Sequence, residues 1–216
     1  MSLNEILSRI QDELAKKDAV RQEVQTAMRK CTRLSKTAIF HMHKEEFEEA
    51  EAKLAEAKEI LNNLHNMTAN FSGLAYMGSV DSAFEEYAEA QIFFSLIKEG
   101  RFVSYDEINV PIAPYVLGLA DVIGELRRQT LDYLRQNRIK KAVKNLELME
   151  TIYAELLNLD EANILVHELR RKCDVARHVL EATRGDVTIE VRRNQLENSI
   201  KDLRRKLEAK QENGLT

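Results

Sequence analysis

The sequence predicts an all-α fold, a single antiparallel bundle of about seven long helices. Three observations point there. Charged residues make up 31% of the chain, and the strong helix formers Leu, Glu, Ala, Lys and Arg are abundant. Only two prolines and seven glycines interrupt 216 residues, and Trp is absent. Apolar residues recur by threes and fours over long stretches, which is the period of an amphipathic helix.

The elements follow in order. Val20, Val24, Ala27, Cys31, Leu34 and Ala38 form one stripe, and Phe47, Ala50, Leu54, Ala57, Leu61 and Leu64 form a second. These predict an antiparallel helix pair that turns near residues 43–46. Residues 66–81 hold Gly73 and Gly78 among small polar side chains and read as a loop. A third helix is expected over 81–99, capped by Ser79 or Asp81 and ended by Gly100. "SYDEI", residues 104–108, reads as one capped turn. Pro111 and Pro114 interrupt the chain and then open a helix that runs to about Gln136. Helices are expected over 139–157 and over 160–183, the latter with Ala162, Val166, Leu169, Cys173, Ala176, Leu180 and Thr183 in step. Arg184 and Gly185 read as a stop, and Leu196, Ile200, Leu203 and Leu207 mark a last helix with a basic outer face. One domain covers residues 1–216, with 190–216 a helical extension.

Several classes of function are excluded. Two cysteines far apart in sequence suggest a reducing compartment, the cytoplasm, rather than a disulfide scaffold or a thiolate zinc site. The first residues are polar and amphipathic, unlike a signal peptide. No uncharged apolar run approaches the roughly 20 residues of a membrane span, so no membrane partner is expected. There is no glycine-rich phosphate loop, no nucleophile elbow and no H-E-x-x-H. No His has a Glu three residues before it, which removes the helical di-iron class. The net charge of −4 is unevenly spread: residues 1–126 carry −8 and residues 127–210 carry +5. A mildly acidic protein with segregated charge can still bind a polyanion.

The stretch "YVLGLADVIGEL", residues 115–126, places two acids in an apolar helix. Asp121 and Glu125 are four apart and share a face. Burying carboxylates without partners is costly. The segment "FEEYAEAQIFFSLI", residues 84–97, is the expected counterpart. Glu86 shares the inward direction of Ala90, Phe93 and Ile97, and Glu89 lies one turn along. Glu85 points elsewhere and reads as solvated. Facing carboxylates can share a proton, pair with Arg or bind a hard cation such as Mg²⁺ or Mn²⁺. Arg128, three residues beyond Glu125, could instead satisfy them locally. A basic stripe of Arg29, Arg33, Lys36 and His43 spans roughly 80° of the first helix. It could hold phosphates or be only a solvated face.

These motifs resemble the translin and Trax superfamily. The resemblance rests on "EEYAEAQIFFSLIKEGRFVSYDEI", "YVLGLADVIGELRR", "SKTAIFHMHK" and "RKCDVARHVLEATRGDVT" and spans roughly residues 18–190. It implies a seven-helix protein in a closed shell of eight copies. The four acids Glu86, Glu89, Asp121 and Glu125 make the chain similar to the catalytic Trax type rather than to translin. The implied activity is an endoribonuclease dependent on Mg²⁺ or Mn²⁺, with those acids as metal-binding and catalytic residues. The implied partners are short RNA and further copies of the chain. Arg29, Arg33, Lys36, His43 and Arg128 are the candidate RNA contacts; Lys36 and His43 also match family positions whose role the resemblance leaves open. The chain departs from longer relatives: no basic targeting run precedes the first helix, and the C-terminal segment extends past the shared core. It therefore resembles a compact archaeal or microbial member, working as a homo-octamer without a separate translin-type partner. Two alternatives stand beside this. A non-catalytic RNA- or DNA-binding shell predicts salt-bridged acids and no role for metal. A coiled-coil scaffold predicts no salt-sensitive RNA binding.

Overall fold

The computed structural model describes residues 2–69, 78–159 and 165–213. Among them lie seven helices and no strand. They are α1 (Leu3–His43), α2 (Phe47–Ala69), α3 (Gly78–Lys98), α4 (Tyr105–Ile108), α5 (Ile112–Arg135), α6 (Ile139–Leu157) and α7 (Leu169–Asn213). None is long and apolar enough to cross a membrane. Residues 1–122 and 123–216 form two compact units.

In the first unit α1 and α2 form the expected antiparallel pair. Glu45 takes a left-handed φ of 60°, and the Glu46 amide donates to the His41 carbonyl at 3.0 Å. Those two features close the turn and end α1. The paired stripes meet in the core: Val24, Cys31, Leu34 and Ala38 from α1, with Ala50, Leu54, Ala57 and Leu61 from α2. α3 packs on both helices. Ala83, Phe84, Tyr87, Ala88, Ala90, Ile92, Phe93 and Phe94 are all buried, so α3 is apolar around most of its circumference. A helix of that kind belongs in the middle of a bundle. The single turn α4 carries a full capping box between Ser104 and Glu107.

In the second unit α6 packs against α7. Ala142, Met149, Ile152 and Leu156 from α6, with Leu169, Ala176, Leu180 and Val187 from α7, are buried there. A buried amide pair, Asn145 Nδ2 donating to Gln129 Oε1 at 2.9 Å, is satisfied internally. Arg127 donates to Thr183 Oγ1 at 2.8 Å and pairs with Asp186 at 3.2 Å.

Four boundaries differ from the sequence reading. The last long helix begins at Leu169, after a turn at His167 and Glu168, although the sequence stripe places Val166 within it. α7 continues through Arg184 and Gly185, so the two expected C-terminal helices are one. A helical glycine costs only about 1 kcal/mol relative to Ala. Thr183 and Val187 are buried on either side of it and hold the helix on course. α2 extends to Ala69, and α3 already begins at Gly78, which puts Ser79 and Asp81 inside the helix rather than at its cap. The rest of that expected loop, 70–77, lies outside the described residues, as do residues 160–164 of the helix expected from 160.

Candidate functional site

Arg29, Arg33 and Lys36 recur at four and three residues, so one face of α1 presents all three. All three are exposed. Together with Thr32, Thr37 and Phe40, and with Ser82 of α3, they line a cavity of about 710 Å³. Arginines and a lysine beside hydroxyl donors suit a polyanion. Phe40 is 47% exposed, and the Lys44 ammonium sits 4.2 Å from its ring centre.

Lys36, in the wall of that cavity, also reaches the acids. Lys36 Nζ is 2.9 Å from Glu86 Oε1. The hydrogen bond to Glu86, with attraction from Glu86 and then Glu89, holds the Lys36 amine above its usual range. Glu85, Glu86, Glu89 and Asp121 are all half-buried. That corrects the reading of Glu85 as solvated. The reason is the seat of α5 against α3. At Gly118 an added Cβ would lie 2.7 Å from the Glu85 carbonyl oxygen and 2.8 Å from the Glu89 amide nitrogen. The two backbones therefore touch at that turn, which shields Glu85. Asp121 follows Gly118 by three residues on the same side of α5.

The other named residues are placed differently. His43 is half-buried and stacks at 5.2 Å on the buried ring of Phe93 rather than lining the cavity. Glu125 belongs to the second unit, half-buried, with Arg128 at 3.8 Å. That is the local pairing the spacing allowed. Gln25, Met28, Thr32, Thr37, Phe40 and Ser82 are cavity residues that sequence reading missed. Phe40 had a signal: it stands four residues after Lys36 on a helix face that is otherwise polar.

The carboxylates supply the hard oxygen donors that Mg²⁺ and Mn²⁺ take. Their arrangement is a different matter. Among the described residues no three His, Cys, Asp or Glu side chains converge to hold an ion. Glu86 is held by Lys36 instead. As arranged, the acids do not fit a metal ion.

Comparison with known proteins adds the following. A family model, the Translin family, matches residues 19–182. The chain is 32% identical over 190 residues to an uncharacterised protein of Methanocaldococcus jannaschii, covering 87% of this chain and 84% of that protein. The crystal structure of AfC3PO is similar at 32% identity with a TM-score of 0.77, covering 85% of this chain and 96% of that one. The structure of AfC3PO in complex with duplex RNA is similar at 31% identity with a TM-score of 0.76, covering 85% and 95%. The helical fold described above is the fold of those structures.

Proposed function

Because the chain belongs to the Translin family, we propose that it binds RNA along the basic wall of α1 and cleaves it. The proposed activity is that of a Mg²⁺- or Mn²⁺-dependent endoribonuclease in a closed shell of eight copies. The observation that carries the reading is the 2.9 Å pair between Lys36 and Glu86. It joins the basic wall of α1 directly to a half-buried acid of α3. The complex of AfC3PO with duplex RNA supports RNA as the ligand class.

The residues divide the work. Arg29 and Arg33 hold backbone phosphates, and Phe40 offers a stacking face. Lys36 is 62% exposed, so its pair with Glu86 is worth about 1 kcal/mol or less. An arriving phosphate competes for Lys36 at little cost and releases Glu86. A carboxylate freed beside a bound phosphodiester can accept a proton from the attacking nucleophile. Glu89 and Asp121, on the two helices that touch at Gly118, are the further acids proposed for the reaction; Glu125 is proposed from its place in the sequence motif alone. The ion requirement rests on the family resemblance and not on ligand geometry.

The Arg128–Glu125 pair favours a second reading, a shell that binds RNA without cutting it. Incubating the purified protein with short labelled RNA, with Mn²⁺ or with EDTA, separates the two. Cleavage only with Mn²⁺ supports the nuclease. Retention of intact RNA under both conditions supports the non-catalytic shell.

A further inference from the structure

Both long helices carry arms whose apolar faces are uncovered. In α1, Leu3, Leu7, Ile10 and Leu14 are between 46% and 71% exposed. In α7, Leu196, Ile200, Leu203 and Leu207 are between 55% and 62% exposed. The two sets share one spacing, four-three-four, which is the seam of a coiled coil. Each spans twelve residues, so each arm is roughly 18 Å long. Both lie outside the stretch 19–182 shared with the family.

Their charges are opposite. Residues 3–14 carry three acids and one arginine, a net of −2, and residues 196–207 carry four bases and two acids, a net of +2. Like arms would repel when paired, and unlike arms attract. We propose that the α1 arm of one copy packs its apolar seam against the α7 arm of a second copy, as a short two-stranded coiled coil. Two heptads are too few for free peptides. Here each arm continues a helix anchored in a folded unit, so the cost of helix nucleation is already met. The same contact closes a two-fold dimer when both arm pairs form reciprocally, and joins several copies around a ring when made head to tail. This inference is independent of RNA binding.

Chains with one added cysteine test it. One chain carries Ile10→Cys; another, with a tag of different length, carries Leu203→Cys or Ile200→Cys. The native Cys31 and Cys173 are buried. Mild oxidation of the mixture is expected to give the mixed disulfide dimer, severalfold over the homodimers of either variant alone. Charge reversal gives an independent reading. Asp12→Lys with Glu13→Lys makes the α1 arm +2, and Arg204→Glu with Arg205→Glu makes the α7 arm −2. Each double variant, carrying Cys at the same two positions on separate chains, should lose the cross-link, and mixing the two double variants should restore it. Homodimers in equal yield, or no cross-link, would overturn the proposal. So would weakened RNA binding by the Arg204, Arg205 variant with cross-linking unchanged, which would make the basic arm an RNA contact.

Discussion

Lys36 on α1 and Glu86 on α3 stand 2.9 Å apart, with Lys36 also in the wall of the cavity. Lys36→Ala is expected to weaken RNA binding while changing folding stability by about 1 kcal/mol or less, because an exposed pair contributes little. Fluorescence anisotropy with labelled RNA and a denaturant titration check both halves. A large loss of stability with unchanged binding would make the pair purely structural.

Arg29→Ala and Arg33→Ala together should flatten the salt dependence of RNA binding. Each lost phosphate contact lowers the slope of log K against log salt by roughly 0.7–0.9. Phe40→Ala should instead weaken binding by roughly 1–3 kcal/mol without changing that slope, as expected for lost stacking. An unchanged slope in the arginine double variant leaves the stripe a solvated face.

Gly118→Ala tests the seat of α5 on α3. The new methyl would meet backbone atoms of Glu85 and Glu89 at 2.7 and 2.8 Å, and backbone cannot swing aside. The helices must separate, at a cost of roughly 1–3 kcal/mol. Asp121 would move with α5, so cleavage should fall further than thermal stability does. A variant with wild-type melting and activity would show that the helices can part freely.

The alkaline side of the stability curve is set partly by buried acids of high pKa. Burial pushes the Cys31 thiol from 9.0 up to about 12 and the Tyr87 hydroxyl from 10.0 up to about 12. Both groups keep their protons longer in the folded chain than in the unfolded one. Their contribution is therefore complete below pH 9 and falls as pH rises from about 9 toward 12. Urea unfolding across that window should show the decline, and Cys31→Ala should make it shallower near its start. Iodoacetamide should leave both native cysteines unmodified at pH 8 until the chain unfolds.

Much of this architecture was legible in the sequence, for reasons particular elements make clear. The stripes of α1 and α2 predicted a pair because three- and four-residue steps admit only a helix. "SYDEI" was readable as a capped turn because Ser104 and Glu107 are the two halves of one capping box. Gly185 misled because a glycine's local preference is weaker than the packing of Thr183 and Val187 around it. The burial of Glu85 was not legible: it depends on the close approach at Gly118, and periodicity on one helix does not reveal where its neighbour touches. The partner of Glu86 was hidden for the same reason. Spacing along α5 pointed to Arg128, which does meet Glu125, whereas Lys36 comes from a helix fifty residues away in sequence.

The direct test is a comparison of RNA cleavage by the wild type with that of Glu86→Ala, Glu89→Ala and Asp121→Ala, in Mn²⁺, with RNA binding measured on the same preparations. Each variant is expected to lose cleavage by at least two orders of magnitude, the lower end of what a positioned acid or base contributes. Folding and RNA affinity should be retained. Wild-type cleavage in all three variants, or no cleavage by the wild type itself, would contradict the assignment of these acids to RNA hydrolysis.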